Sequence, residues 1–469
     1  MSATSPPGTL RGLPDPGHPG ESVEALTLRM AVVCAGAVDT FEVAAALEAD
    51  GINDEGAGQY GHPHVFALAR DLYERTDRRP AVPPPPPDPW GGQVWRHLLR
   101  GVLFGLPGLC YVTAAPAAAG SGAGVVVLLS LLLSWSASQG VAYLAYVRLG
   151  QGDRPAAMRV MRRGLTVAGL AGPPLIALAG VLLDAGTPAT ALAVGQCAYL
   201  LAATVALVSG AELWLLSALL PGAAASTAQL AGAQIRPVVW AAWVVTIVAT
   251  AGIALARTAG SGAARRGPSP TDIRAALPYA LFGLLAGGLL TFPAVSALLG
   301  RARPSLVTTV AVLALSLSMG FAEWILLAYR RRLHRELHTR SGVESFARAA
   351  RAALAVAVAA YLSALVCLAA AVTVPSGLIG GDLGAPGSAV PWIAGAHLCL
   401  GGALFVALLL QSCGRIRAVL IAFATALTAE AAGLRTGDPW VIQCAVACGL
   451  LCALGGYAVV VLSRATSHR

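Results

Sequence analysis

Twelve long apolar segments constrain this chain more than any other feature. Each is close to the roughly 20 residues that a helix needs to cross a bilayer. With 56% hydrophobic and 12% charged residues, the 469-residue chain lacks the polar groups that cover the surface of a soluble protein. We therefore predict an all-α polytopic membrane protein that has the lipid bilayer as its first partner. The predicted spans are residues 98–119, 123–147, 164–183, 189–209, 211–232, 238–256, 277–299, 305–329, 352–374, 391–412, 416–433 and 440–463.

Arginine placement predicts the orientation of these spans. If the N-terminus is cytoplasmic, 22 Arg fall in cytoplasmic segments and four, at positions 236, 301, 303 and 435, fall in outer loops. This bias follows the positive-inside rule and predicts a multi-pass plasma-membrane protein with both termini in the cytoplasm. The fourth and fifth spans abut, which leaves an eleven-span alternative. That alternative would place the arginines of residues 330–335 outside, against the rule.

The chain also carries signs of an internal repeat. Residues 96–106, RHLLRGVLFGL, recur as residues 274–284, RAALPYALFGL, and residues 136–142, SASQGVA, recur as residues 316–322, SLSMGFA. The alternative is chance identity in a sequence rich in Leu, Ala and Gly. Six spans in each half make both halves enter the membrane in the same direction, so we predict two parallel six-helix repeats.

The first 95 residues differ in composition from the rest. They contain a Pro- and Gly-rich start, a stretch with apolar residues at helical spacing, and a Pro-rich spacer. Residues 23–50 and 63–75 read as helices separated by a break at 51–61, and so small a unit is expected to bind a cytoplasmic protein partner. The predicted boundaries are 1–21 disordered, 22–79 a small cytoplasmic helical domain, 80–95 a Pro-rich linker, 96–257 the first membrane half, 258–276 a cytoplasmic linker and 277–469 the second half.

Ionisable side chains inside membrane spans are costly and mark candidate sites of transport or ion coupling. Four stand out here: Glu212, Glu323, His397 and Glu430. Glu323 is the best placed, since it follows the repeated SLSMGFA stretch by one residue and has Tyr143 as its counterpart in the first half.

Each of these four also has an ordinary structural interpretation. Glu323 could anchor the helix at the interface by meeting Arg330 or Arg331, and Glu212 and Glu430 are expected at the interface. A buried His397 could be satisfied by a neighbouring hydroxyl or carbonyl group.

Prolines in or beside the spans are candidate hinges, because proline interrupts the hydrogen-bond ladder of a helix. Thr113 with Pro116 resembles Thr291 with Pro293 in the other half. The hinge candidates are Pro107, Pro116, Pro173, Pro174 and Pro293.

Other classes of function find little support. The net charge of +9 comes from Arg beside apolar runs, which argues against nucleic-acid binding. We found no enzyme motif in a suitable context, and we predict no enzyme activity, no cofactor and no metal site. Residues 50–55, DGINDE, and the pair His62 and His64 are weak metal leads that we interpret as turn and cap residues.

The segment after the second span carries a family resemblance. Residues 146–157 read YVRLGQGDRPAA. This resembles the Leu-Gly-x-Gly-Asp-x-x-Ala-Ala inner loop of the multidrug, oligosaccharidyl-lipid and polysaccharide (MOP) exporter superfamily, in its polysaccharide-flippase and MATE-like branches. Residues 60–69 are also similar to leaders of actinobacterial membrane proteins. The matching residues are Leu149, Gly150, Gly152, Asp153, Ala156 and Ala157.

The resemblance implies a V-shaped bundle with a cavity between the halves, and alternating access driven by an ion gradient. The function that we favour is therefore export of a polysaccharide precursor or lipid-linked glycan. The alternatives are proton- or cation-coupled efflux of small organic molecules, and a non-transporting scaffold that recruits a polymer synthase. One departure stands against glycan flipping: the interiors of the spans hold almost no Arg to meet a pyrophosphate.

Overall fold

The computed structural model describes residues 21–77, 94–114, 120–261, 269–302, 305–339, 342–378 and 387–464. The chain folds as two compact units, Met1–Pro87 and Asp88–Arg469. Within the described residues the regular elements are all helical. The segment predicted to be disordered and most of the Pro-rich linker lie outside the described residues, as does Pro116.

The N-terminal unit contains four short helices: α1 (Val23–Gly36), α2 (Thr40–Ala49), α3 (Asp54–Gln59) and α4 (Val65–Arg75). The continuous helical pattern expected over residues 23–50 is interrupted, because the Asp39 side chain accepts hydrogen bonds from the backbone N–H groups of Phe41 and Glu42 and starts a new helix. Asn53 and His64 cap α3 and α4 in the same way, which confirms the cap interpretation of both segments.

This small unit has its own apolar core. Leu26, Leu47, Leu68 and Leu72 are fully buried, one or two from each of the three longer helices. Burying a leucine side chain stabilises a fold by about 1.5–3 kcal/mol, so each of these four residues contributes substantially to the stability of the unit.

Within its described residues, the membrane unit contains twelve helical segments that are long and apolar enough to cross a bilayer, as predicted. We number them spans 1 to 12. Spans 1 and 7 are each made of two helices. Span 1 is α5 (Val94–Gly105) and α6 (Gly108–Ala114), span 2 is α7 (Ser121–Gly150), span 3 is α8 (Arg154–Leu182), span 4 is α9 (Thr187–Val208), span 5 is α10 (Glu212–Leu230), span 6 is α11 (Arg236–Thr258), span 7 is α12 (Pro270–Leu290) with α13 (Phe292–Leu298), span 8 is α14 (Leu306–Thr339), span 9 is α15 (Val343–Leu378), span 10 is α16 (Val390–Ser412), span 11 is α17 (Ile416–Gly433) and span 12 is α18 (Pro439–Leu462).

Several helices run further than hydropathy predicted. Span 3 begins at Arg154 instead of residue 164, and span 8 continues to Thr339. Both extensions are rich in Arg, which has a high helix propensity and a side chain long enough to reach water. The helix therefore continues past the end of its apolar segment, and hydropathy underestimates its length. The turn between spans 2 and 3 contains the resemblance motif: Gly152 has φ +78°, and Asp153 caps span 3 by accepting from the N–H of Ala156.

The candidate hinge prolines differ in their surroundings. Pro107 lies at the interruption between α5 and α6, and Pro293 lies at the start of α13, just after the interruption at Thr291. Pro173 and Pro174 lie inside the uninterrupted helix of span 3. Their role as hinges stays a prediction.

The two membrane halves repeat the same packing pattern. Span 2 packs on spans 3 and 4, and spans 4 and 5 pack on span 6; in the second half, span 8 packs on spans 9 and 10, and spans 10 and 11 pack on span 12. The share of each span's apolar segment that is buried inside the protein repeats as well. It is highest in spans 4 and 10, at 56% and 67%, and lowest in spans 3 and 9, at 11% and 17%. Turn glycines with positive φ recur at Gly120 and Gly300, and at Gly210 and Gly414. These matches support the internal repeat over chance identity.

The halves meet through two equivalent rows of contacts, span 1 against span 8 and span 2 against span 7. Both rows are antiparallel: Gly101 lies against Gly320 and Gly108 against Leu313, while Gly140 lies against Ala280 and Gly124 against Leu298. Spans 1 and 7 therefore run in the same direction, as a parallel repeat requires.

Close backbone approach between spans 1 and 8 depends on glycine. A Cβ atom at Gly101 would lie 2.5 Å from the carbonyl oxygen of Leu317, which is backbone and has little freedom to move. We expect Gly101→Ala to destabilise the protein by about 1–3 kcal/mol, the usual cost of overpacking. Thermal unfolding in detergent measures this. Gly252→Ala is the control, since Gly252 in span 6 has open space around it; equal effects of the two substitutions would contradict the close approach.

The N-terminal unit should show a small acid dependence of stability. Nε of Arg75 donates to Oδ1 of Asp71 at 2.8 Å, and this hydrogen bond lowers the pKa of the Asp71 carboxyl. Because the folded pKa lies below the unfolded value of about 3.9, the contribution is present above that value and is lost as the pH falls through the folded pKa. Hydrogen exchange of the α4 amides should be faster in Asp71→Asn than in wild type at pH 7, and the difference should shrink as the pH falls below about 4. Glu74→Gln, an exposed change on the same helix, should have no such effect.

Candidate functional site

The strongest cluster of charged side chains lies where spans 1, 5 and 8 meet. We call the end of the membrane unit that holds Arg96, Arg148, Arg154 and Arg330 the basic end, and the contact between the halves at this end the basic-end seam. Arg96, His97 and Arg100 lie on the first two turns of span 1. Spacings of three and four place Arg96 and Arg100, and His97 and Arg100, as neighbours on the helix surface.

Arg100 bridges the two halves. Its Nη2 donates to Oε1 of Glu212 at 2.9 Å, and its Nη1 donates to Oε2 of Glu323 at 3.0 Å. Glu212 begins span 5 in the same half, whereas Glu323 belongs to span 8 in the other half. A planar guanidinium with five donors suits this double role, which a lysine ammonium would fill less well.

Two neighbours complete the cluster. Nη2 of Arg96 donates to Oε2 of Glu212 at 2.6 Å, so Glu212 has a cation on each oxygen. Nδ1 of His97 lies 3.1 Å from Oε2 of Glu323. Glu212 is buried with 2% of its side chain exposed, while Arg100 and Glu323 are 22% and 29% exposed. The pair inside one half is therefore dry, and the pair across the seam has access to water.

A second ion pair closes the other row of the seam. Nη2 of Arg148, at the end of span 2, donates to both carboxylate oxygens of Asp272 in span 7 at 3.1 and 3.2 Å. Asp272 is held in place from the other side, because it forms a capping box with Ser269 at the start of its helix. Charge-assisted bonds of this kind are about twice as strong as neutral ones.

Deeper in the same row the contact is aromatic and polar. The rings of Tyr143 and Tyr279 stack with centroids 3.8 Å apart. Oγ of Ser136 donates to the carbonyl oxygen of Ala280 at 2.8 Å. Tyr143 is the repeat counterpart of Glu323, so equivalent positions join the halves by stacking in one row and by an ion pair in the other.

These contacts revise the expectation for Glu323. Glu323 is an anchor, but its partners are Arg100 and His97 from the other half, and the predicted contact with Arg330 or Arg331 was wrong. Arg330 instead donates to the carbonyl oxygen of Ser412 at the end of span 10.

His397 and Glu430 lie in the second half, apart from the seam. Nδ1 of His397 lies 2.8 Å from the carbonyl oxygen of Ile393, which confirms the expected backbone partner. Glu430 is 2% exposed, so it is not the water-facing interfacial group that we expected. Among the described residues, Nε2 of His397, Oε2 of Glu430 and both amide atoms of Gln443 have no hydrogen-bond partner. Such groups are costly in an apolar core and mark the second half as a candidate for proton or ligand binding.

A small cavity lies in the first half between spans 1, 5 and 6. Its volume of about 10 Å³ is enough for about one water molecule. Its lining includes Thr113, Gln229 and Arg236, together with the indole rings of Trp240 and Trp243. Within the described part of the chain, no group of three or more His, Cys, Asp or Glu side chains is arranged to hold a metal ion.

Sequence reasoning missed most of the seam. Arg96, Arg100 and Arg148 were interpreted only as topology signals, and Asp272 was not noticed. One signal was available: Arg96 and Arg100 lie in the repeated segment four residues apart, so they share a face of span 1.

Comparisons with known proteins show a likeness in fold. No family model and no curated protein matches the chain. The crystal structure of MATE in the bent conformation has a TM-score of 0.48 and 14% identity over 81% of this chain and 98% of its own. MATE in complex with MaD3S has a TM-score of 0.47 at 14% identity, over 80% and 98% of the two chains. The outward-facing conformation of a multidrug resistance MATE family transporter of the MOP superfamily has a TM-score of 0.46 at 14% identity, over 80% and 97%. A likeness at this level determines neither substrate nor branch, and the flippase and actinobacterial assignments stay predictions.

The seam contacts should control how easily the basic end opens. Glu323→Gln removes an ion pair between partly exposed side chains that is worth up to about 1 kcal/mol, which corresponds to a shift of up to about fivefold toward an open seam. The measurement is the rate at which a water-soluble maleimide labels Ala280→Cys, in a background whose nine native cysteines are replaced.

Arg148→Gln should act in the same direction, because it removes the second ion pair. Arg162→Gln is the matched control, since Arg162 is exposed on span 3, which the contacts place away from the seam. Labelling that is equally fast in all variants would show that the ion pairs do not hold the seam closed.

Proposed function

We propose that this protein is a transporter that exports a lipid-linked glycan or another polysaccharide precursor by alternating access, and that the basic-end seam is its cytoplasmic gate. The observation that carries the proposal is Arg100, which holds Glu212 in its own half and Glu323 in the other. A contact of this kind can be broken and remade while each half stays intact. The proposal takes the basic end as cytoplasmic, in accord with the positive-inside bias.

The chemistry of the gate supports reversible opening. Arg100 and Glu323 are partly exposed, so water can replace their mutual contact at low cost. The Glu212 carboxylate is only 2% exposed, so leaving it without its cations would be expensive. When the halves part, Arg100 therefore stays with Glu212, and Glu323 is the group that loses its main partner.

Glu323 is our first candidate for proton coupling. A neutral Glu323 cannot hold Arg100 across the seam by charge, so a proton arriving there favours the open gate. His397 and Glu430 are the candidates in the second half, because each has a buried polar atom without a partner. Glu212 is better suited to a structural role, since both of its oxygens are occupied by arginines.

The same cations support an anionic substrate. Opening of the seam would present Arg100, His97 and Arg148 to a ligand arriving from the basic end. A guanidinium that has lost a carboxylate has free donors for phosphate oxygens in a matching planar arrangement. A pyrophosphate-linked glycan could thus replace Glu323 on Arg100 and stabilise the open gate.

A scaffold remains the second candidate function. The close glycine contacts between the halves and the separate N-terminal unit favour it. Such a protein would hold the seam shut permanently and would move nothing.

The test is a flipping assay in proteoliposomes with a fluorescent polyprenyl-pyrophosphate disaccharide and a membrane-impermeant quencher. We expect wild-type protein to accelerate flipping over protein-free vesicles, and Arg100→Gln to reduce the rate by about tenfold, as expected for loss of a charge-assisted contact. Glu323→Gln should remove the dependence of the rate on an imposed pH gradient.

Two controls accompany the assay. Arg162→Gln should behave as wild type, and an organic cation dye should not be moved. Transport of the dye without the lipid would favour small-molecule efflux, and transport of neither would favour the scaffold.

A further inference from the structure

The N-terminal unit carries an apolar surface that its own fold leaves uncovered. In α1, Leu26, Met30 and Cys34 are buried in the core, whereas Leu28 and Val32 are 79% and 85% exposed. At 100° per residue, these two side chains point away from the core-facing side, and the exposed Ala25 lies in line with them. A helix that is apolar on both sides normally has both sides covered.

A second apolar patch adjoins the C-terminal end of this helix. Val38 and Phe41 are 85% and 68% exposed, and the ring of Phe41 packs edge-on against the exposed Phe66 with centroids 6.0 Å apart. The hydroxyl of Tyr73 donates to the carbonyl oxygen of Val38, which fixes the loop that presents the patch. Two exposed aromatic rings on so small a unit are typical of a binding surface.

The net charge of the unit favours one class of binding partner. Residues 1–87 contain 12 Asp and Glu against six Arg, a net charge of −6 with His neutral. Two of these arginines form ion pairs inside the unit: Arg29 with Glu21 and Asp50, and Arg75 with Asp71. A second copy would repel such a surface, and so would the anionic lipids of a cytoplasmic leaflet.

We propose that the surface formed by Ala25, Leu28, Val32, Val38, Phe41 and Phe66 binds a basic amphipathic helix of a cytoplasmic protein. Leucine or aromatic side chains of that helix would cover the α1 stripe and contact Phe41. Its Arg and Lys side chains would face the acidic surroundings, which include Glu24, Asp39 and Glu42. This mode of recognition combines an apolar seam with charge complementarity and gives a weak, salt-sensitive and reversible complex.

The test uses the full-length protein in nanodiscs of neutral lipid and a fluorescent helical peptide of about 18 residues, or five turns. The peptide carries Leu at i, i+3, i+4 and i+7 spacing on one face and Lys and Arg on the other. A scrambled peptide of the same composition and empty nanodiscs are the references. We expect micromolar binding by fluorescence anisotropy that weakens with added salt, and no comparable binding of the scrambled peptide.

Two substitutions separate docking from general attraction. Val32→Asp adds a negative charge, so non-specific electrostatics predicts tighter binding, whereas docking on the stripe predicts binding about tenfold weaker. Gln59→Glu adds the same charge to an exposed site on α3, a helix that contributes no residue to the surface, and should leave the affinity unchanged or slightly higher. Phe41→Ala should weaken binding without adding charge.

Several results would overturn the proposal. The proposal is wrong if Val32→Asp binds the peptide as tightly as wild type or more tightly. It is also wrong if the scrambled peptide binds equally well, or if the designed peptide does not bind. Sedimentation that shows a dimer lost in Val32→Asp would assign the surface to a second copy, and vesicle binding lost in the same variant would assign it to the membrane. Hydrogen exchange of the α1 and α2 amides confirms that each variant remains folded. The outcome does not depend on whether the membrane unit transports anything.

Discussion

Arg100 lies between two carboxylates that belong to different halves of the membrane unit, and this one contact links the folding of the protein to its proposed motion. An arginine cannot shed its charge in a protein, so inside a bundle it must always have a partner. Glu212 supplies that partner whether the halves are together or apart. Glu323 is the conditional partner, because it loses Arg100 when the halves separate.

The ion pairs depend in turn on how closely the helices approach. Gly101 and Gly320 bring the backbones of spans 1 and 8 together, and Gly283 does the same for span 7 against span 2. Without a hydrophobic driving force between helices in lipid, such small-residue contacts and cross-helix polar bonds supply most of the association. The two rows are related by the repeat, yet their chemistry differs: Glu323 faces cations, while its counterpart Tyr143 stacks on Tyr279. Duplication therefore accounts for the geometry of the seam, and later divergence placed titratable chemistry on one side of it.

Hydropathy and Arg placement were sufficient to predict twelve spans and their parallel repeat, because length and polarity are properties of each segment alone. The ends of span 3 and span 8 were missed, since Arg-rich helix continues after the apolar run ends. The seam itself was not predictable from the same signals. Arg96 and Arg100 obey the positive-inside rule whether or not they meet a carboxylate, and periodicity identifies the polar side of a helix without naming the helix that it faces. Only the packing of span 1 on spans 5 and 8 shows that these arginines also join helices.

The position of these cations also answers the strongest sequence argument against a pyrophosphate substrate, the near absence of Arg in the span interiors. A polyprenyl-linked glycan keeps its hydrocarbon chain in the bilayer core and its charged group at the headgroup level, since burying a phosphate in hydrocarbon is far too costly. Recognition then requires cations at the membrane boundary, at the place where the halves separate. Arg100 and Arg148 lie at the basic end, on the surfaces that face each other across the seam. For the proposed transport, cations at the seam suit a substrate with one charged group and a long apolar tail.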